Sequence, residues 1–101
     1  MKVKLPARTE SSIGRAFVKK VKALHPSWLV IKLKGDGRRD LPDYMVLTDY
    51  GRARFLEMKR PGKELTSRQR GMVLDLQCMG FRASWADSVD DAVHEVTKEL
   101  T

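Results

Sequence analysis

The stretch Leu41-Pro-Asp-Tyr-Met-Val-Leu-Thr-Asp-Tyr-Gly-Arg-Ala-Arg-Phe-Leu-Glu-Met-Lys-Arg-Pro-Gly62 holds two short apolar runs and the punctuation around them. Tyr44 to Thr48 is one run and Ala53 to Lys59 the other. Asp49-Tyr-Gly-Arg52 between them has turn chemistry, so the two runs read as a β-hairpin. Pro61-Gly62 breaks the second strand. Upstream, Trp28 to Lys34 alternates, with Leu29, Ile31 and Leu33 on one side and Lys32 and Lys34 on the other. It reads as a further strand. The polar loop Gly35-Asp-Gly-Arg-Arg-Asp-Leu-Pro42 joins it to the hairpin, giving a three-stranded meander.

Helices flank this meander. Thr9 is placed to cap a helix running to about Leu24, whose Ile13, Phe17, Val21 and Leu24 recur at helical spacing. Arg15, Lys19 and Lys22 form a basic stripe on another face, and His25-Pro26 ends the helix. Thr66-Ser-Arg-Gln69 has the form of a capping box opening a second helix, and Gly80 is placed to close it. Met72, Val73 and Leu76 give that helix its apolar face. Phe81 to Ala86 reads as a fourth strand. Ser88-Val-Asp-Asp91 opens a last helix, with Ala92, Val93, Val96 and Leu100 inward. The order is αβββαβα, an α/β sandwich around a four-stranded sheet. Residues 1–8, with Lys2, Lys4, Pro6 and Arg8, read as a loose basic arm, and 9–101 as one domain.

The 101 residues are 42% hydrophobic and 33% charged, which supports a folded core and excludes bulk disorder. No apolar run approaches the roughly 20 residues that span a bilayer. The first residues carry no apolar signal core, and a single cysteine, Cys78, forms no internal disulfide. A cytoplasmic protein is the expectation. Net charge is +7, and it is uneven. Residues 1–60 hold fifteen basic against six acidic residues, a net of +9, whereas 61–101 hold five against seven, a net of −2. A basic block on a small domain favours a polyanion, with nucleic acid first and an anionic membrane surface second. A solvated basic surface explains the composition about as well.

Polar residues at inward positions say more. Glu10 shares the helix face of Ile13 and Phe17, and Asp43 opens the second strand. Glu57 and Lys59, two apart on the third strand, project from the same side of the sheet. Gln69 lies one turn before Met72 and Val73. Isolated buried charges are costly, so such a set should be paired or hold a metal. Oxygen ligands of this kind suit Mg²⁺ or Mn²⁺. Each residue also has a plainer reading. Glu10 complements a helix N-terminus, Gln69 is the reciprocal member of a capping box, Glu57 and Lys59 are a solvated strand pair, and Asp43 is a turn residue. His25, His94 and Cys78 lack the spacing of a zinc or nucleophile site and read as bystanders. Trp28 and Trp85 read as core or interface.

The ordered set of Glu10, Pro42-Asp43 after a Gly/Arg-rich loop, Phe55-Leu-Glu-Met-Lys-Arg-Pro-Gly62 and Leu65-Thr-Ser-Arg-Gln69 resembles the PD-(D/E)xK nuclease signature, and within it the VRR-NUC family. The resemblance spans roughly residues 9–93. One position departs from it, because Asp40 stands where the family usually has glycine. The resemblance implies a restriction-endonuclease-like sandwich with a mixed sheet flanked by helices. It implies Glu10, Asp43, Glu57 and the Met58 carbonyl as ligands of Mg²⁺ or Mn²⁺, Lys59 as catalytic lysine, and Gln69 at the edge of the site. The activity implied is that of a metal-dependent DNA endonuclease in which water attacks in line and leaves a 5′ phosphate. Stand-alone members this short resemble phage-type proteins that act as homodimers, which implies branched or junction DNA as substrate. Arg38 and Arg39 are the first candidates for phosphate contacts, and Arg15, Lys19 and Lys22 the second. The rival readings are a non-catalytic nucleic-acid-binding module on the same fold and an assembly factor with an acidic partner. The acid set speaks against the first, since acids beside a phosphate do not help binding.

Overall fold

The computed structural model describes residues 9–33 and 41–98. The basic arm 1–8, the loop residues Lys34 to Asp40 (Arg38 and Arg39 among them) and Leu100 lie outside the described residues.

Helix α1 runs Glu10–Leu24, and its N-cap Thr9 accepts from the Ser12 backbone N–H at 3.1 Å. The strands are β1 (Leu29–Lys32), β2 (Tyr44–Leu47), β3 (Ala53–Met58) and β4 (Arg82–Ala86). Helix α2 (Ser67–Cys78) connects β3 to β4, and α3 (Val89–Thr97) follows β4. The αβββαβα order stands as read. The sheet order is β1-β2-β3-β4, with the first two pairings antiparallel and β3–β4 parallel. The mixed sheet follows from connection length. The five residues 48–52 reverse the chain between β2 and β3, whereas β3 and β4 run parallel because a helix carries the chain back. In that turn, a single 3-10 turn at Asp49–Gly51, Tyr50 and Gly51 take φ of 64° and 70°.

Two helices cover one face and a single helix part of the other. Ile13, Phe17 and Val21 of α1 and Ala92, Val93 and Val96 of α3 pack on Tyr44, Val46, Leu56, Met58 and Ala86. On the opposite face Val73 and Leu76 of α2 pack with Leu65 and Ala83, flanked by Phe55 and Met72. Along β3 the side chains therefore alternate, Leu56 and Met58 toward α1, Phe55 and Glu57 toward α2. Gly14 brings α1 close to β2. A Cβ there would overlap the Tyr44 hydroxyl.

Three expectations on the elements change. The first strand is shorter than Trp28 to Lys34. Leu29 and Ile31 share a side, but α2 packs on β4 and leaves that side open, so they are 60% and 37% exposed. Val30, on the other side, packs on the core. Leu24, read with the inward face of the first helix, is exposed. The last helix ends at Thr97, and Lys98 is already extended. Among the described residues no helix is long and apolar enough to cross a membrane.

Candidate metal and phosphodiester site

The site forms where β2 begins, β3 ends and helices α1 and α2 both start. Asp43 stands one residue before the Tyr44–Leu56 pair, which places it across from Glu57. Its Oδ2 accepts from the Met58 backbone N–H at 2.9 Å. That bond locks the aspartate to the residue between Glu57 and Lys59. Glu57 is 5% exposed. Gln69 Nε2 donates to Glu57 Oε1 at 3.1 Å, and Lys59 Nζ donates to Gln69 Oε1 at 3.3 Å. The same Gln69 oxygen accepts from the Thr66 N–H at 3.0 Å, and Thr66 Oγ1 accepts from the Gln69 N–H, closing the capping box. Gln69 therefore fills both roles the sequence left open. Its carbonyl end caps α2 and orients Lys59, while its amide end holds Glu57.

Glu10 sits at the rim. Its side chain is exposed, and its Oε1 lies 3.4 Å from the Arg60 N–H and 3.9 Å from Lys59 Nζ. The expected convergence on the interior thus holds for Asp43 and Glu57, while Glu10 reaches the same strand end from the solvent side. Among the described residues, no three Asp, Glu, His or Cys side chains stand grouped as an ion-holding set.

Burial pushes the Glu57 carboxyl up to about 8. The Asp43 charge and a hydrogen bond between the two carboxyls add to this, Glu10 adds a little, and Lys59 opposes it. The hydrogen bond to Asp43 favours the protonated form of Glu57. Such a pair suits a divalent cation, because Mg²⁺ commonly takes one or two carboxylates and keeps water in its remaining positions. A cavity of about 80 Å³ lined by Glu10, Asp43 and Met58 adjoins the pair. The donor chemistry of Asp43 and Glu57 fits a hard cation, and the cavity on the Asp43 side offers space, with Glu10 and Met58 on its wall. Tyr44, next to Asp43, has its phenol pushed up by burial and by the Asp43 charge, against the pull of Arg15.

Two larger openings meet here. A cleft of about 660 Å³ lies between the starts of α1 and α2, lined by Glu10, Lys59, Arg60, Lys63 and Thr66 among others. Both helix N-termini face it, and such ends favour anions. A second groove of about 520 Å³ runs between α1 and β1, lined by Arg15, Lys19, Lys22 and Lys32. It shares Ser11, Lys32 and Tyr44 with the small cavity at Asp43. The helix stripe is thus a groove wall leading to the acids.

A solved structure described as a VRR_NUC domain superimposes on this chain with a TM-score of 0.76. It covers 92% of this chain and 100% of its own, at 20% sequence identity. The fold is that of a VRR_NUC domain. No family model and no curated protein matches the sequence.

In this VRR_NUC fold, Lys32, Arg60 and Lys63 line the site's openings, a placement not expected from the sequence. Lys32 carried a signal in retrospect, since the β1 alternation puts it opposite Leu29 and Ile31. Trp85 is the parallel-strand partner of Glu57 and is exposed beside it, which corrects the core reading of this residue. Trp28 is buried as expected. It stacks on His25 at 3.8 Å, and its Nε1 donates to Asp49 Oδ2 at 3.3 Å.

Proposed function

We propose that this protein is a metal-dependent DNA endonuclease of the VRR-NUC family, hydrolysing phosphodiester bonds in branched or junction DNA. The observation that supports this best is the chain of bonds Glu57–Gln69–Lys59 beside the Asp43–Glu57 pair. Lys59 lines a cleft flanked by two helix N-termini, and Gln69 links its ammonium to Glu57 and so to the acid pair behind it. A module that only bound DNA would gain nothing from acids held there.

Asp43 and Glu57 would hold Mg²⁺ or Mn²⁺, with Glu10 and the Met58 carbonyl completing the ligand set. When bound, such a cation supplies an acidified water and neutralises charge on a phosphoryl oxygen. Lys59, fixed by Gln69, sets a positive charge against the phosphorane-like transition state, where a preorganised charge acts most strongly. Water attacks phosphorus, the bond to the 3′ oxygen breaks, and the products are a 3′ hydroxyl and a 5′ phosphate. Arg15, Lys19, Lys22 and Lys32 hold backbone phosphates in the α1–β1 groove. Arg38 and Arg39, in the loop before Asp43, are assigned the same task.

The protein acts as a homodimer in this reading. The open side of the β1–β2 hairpin, where Leu29 pairs with Leu47 and Ile31 with Met45, is its contact. An apolar sheet face next to an unpaired edge strand is a surface for a second copy.

The test is incubation of purified protein with branched and with linear DNA in Mg²⁺, Mn²⁺ or EDTA. Cation-dependent strand scission that is faster on the branched substrate is expected. Intact DNA under every condition, with binding retained, returns the protein to the class of binding modules.

A further inference from the structure

The groove between α1 and β1 presents two kinds of surface. Arg15, Lys19 and Lys22 line it from the helix and Lys32 from the strand. All four are exposed, and none makes an ion pair among the described residues. No acid is among the described residues that line it. Val18 of α1 and Val30 of β1 line the same groove. Both pack against the core but are only half-buried, so they supply apolar surface to it. Tyr44 is buried alongside, fixed by its tilted contact with Phe17 at 5.3 Å. A volume of about 520 Å³ lies within the range of about 300–1,000 Å³ that holds drug-sized groups.

The cations form a row. Arg15 to Lys22 covers about 10 Å of helix. A row of positive charge matches successive phosphates better than it matches one anionic head group. A duplex keeps its bases stacked inside. Its phosphates would satisfy the cations, while the valine surface would stay without an apolar partner. A strand with unpaired bases satisfies both, because a base freed from its stack gains by packing against apolar side chains. The groove also shares Ser11, Lys32 and Tyr44 with the cavity at Asp43, so a strand held here continues toward that acid. We infer that the groove takes a single-stranded segment of the nucleic acid, with an unpaired base against Val18 and Val30 and flanking phosphates on Arg15, Lys19, Lys22 and Lys32. This rests on the nucleic-acid reading above and narrows it, since the strand that reaches Asp43 from this side is unpaired.

The test uses the full chain in EDTA with three probes of equal phosphate number: a thymidine oligonucleotide, its abasic counterpart and a blunt duplex. In methyl-resolved NMR the thymidine oligonucleotide should shift the Val18 and Val30 resonances through its ring currents, and the other two should not. By anisotropy it should bind about fivefold or more tightly than the abasic strand, the low end of what one base contact gives. Val18→Thr with Val30→Thr keeps the β-branched shape but makes the surface polar. It should shrink that advantage and leave the salt slope unchanged. Lys19→Ala with Lys22→Ala should lower the slope for both strands alike and leave the advantage in place. Valine methyls unmoved by the thymidine strand, or equal affinity for the thymidine and abasic strands, makes the groove a plain phosphate wall and overturns the inference. The endonuclease reading fails separately. Shifted methyls without cleavage in Mg²⁺ would sink that reading and keep this one, whereas cleavage with unmoved methyls would do the reverse.

Discussion

The Met58 backbone N–H donates to Asp43 Oδ2 at 2.9 Å, which ties the acid at the start of β2 to the last residue of β3. Asp43 therefore has a structural and an electrostatic role, and the two can be separated. Asp43→Asn keeps an oxygen acceptor for Met58 but removes the charge that helps raise Glu57. In metal-free protein at pH 8.5 this variant should unfold at a higher temperature than wild type. Asp43→Ala loses the acceptor as well and leaves the Met58 N–H in want of a partner, so it should gain less or lose. Both variants should lose Mn²⁺ binding in calorimetry. Retention of wild-type Mn²⁺ affinity in a folded Asp43→Asn protein would move the cation elsewhere.

Glu57 makes the stability of the metal-free protein depend on pH in a direction fixed by its shift. Its folded-state value of about 8 lies above the ordinary 4.5, so the folded state binds the proton more tightly than the unfolded chain. The group's stabilising contribution is complete below about pH 4.5 and is lost as pH rises through about 8. One proton sets a ceiling of about 1.4 kcal/mol per pH unit on the slope. Chemical unfolding of wild type and Glu57→Gln across pH 5–9 isolates it. Wild type should lose stability relative to the variant as pH rises, and saturating Mn²⁺ should reverse the trend, because a ligating carboxylate must be deprotonated. Parallel pH profiles in EDTA would place Glu57 in water.

The reading of Glu57 and Gln69 shows how far sequence alone reached. Two-residue spacing on a strand and a Thr-x-x-Gln box are local patterns, so the strand pair and the helix cap were both legible. The double use of Gln69 was not, because the link from its amide to Glu57 depends on how α2 is set against β3. Glu10 was assigned to the correct helix face, but helical periodicity does not say how far beyond the sheet that helix begins. The β1 alternation was also sound. What it lacked was the position of α2, which covers β4 and leaves Leu29 and Ile31 open. The partnerships of Glu57 with Trp85 and of Arg54 with Arg82 depend on the register of a parallel pair, and nothing in either strand's own sequence fixes that.

The open hairpin face gives an oligomer prediction. Wild-type protein at micromolar concentration should scatter light as a particle of twice 11.5 kDa. Ile31→Asp places a charge on the exposed side without touching the Val30 side that packs on the core, so it should fold normally and scatter as a monomer. Cleavage of linear DNA should survive in that monomer, while paired incision of a junction should be lost. A dimer unchanged by Ile31→Asp would relocate the contact.

The groove between α1 and β1 is tested by salt. Lys19→Ala with Lys22→Ala removes two charges from its wall. In EDTA this pair should reduce the slope of log K against log salt by about one to two, as expected for up to two lost phosphate contacts. Arg38→Ala with Arg39→Ala is the matched comparison for the loop. A slope unchanged by the helix pair but reduced by the loop pair would leave the stripe as a solvated surface.

Lys59 carries the sharpest test. Its Nζ bonds to Gln69 Oε1 at 3.3 Å and lies 3.9 Å from Glu10 Oε1, so its position is set from two sides. Lys59→Met keeps the length and apolar stem but removes the charge. DNA affinity in EDTA should change little, since the groove lysines remain. The single-turnover rate at saturating Mg²⁺ should fall on the order of 10²–10³, the usual cost of one preorganised transition-state partner. Lys59→Arg should restore little, because a planar fork cannot take the place of a compact ammonium between Gln69 and Glu10. Gln69→Leu separates placement from charge. It keeps the ammonium but removes the acceptor that holds it, together with the donor on Glu57, so its rate should fall between wild type and Lys59→Met. Because the capping box goes with it, stability should drop by about 1 kcal/mol as well. If Lys59→Met cuts at the wild-type rate, the ammonium is only a capping partner of Gln69, and the pairing of Glu57 with Lys59 has no part in cleavage.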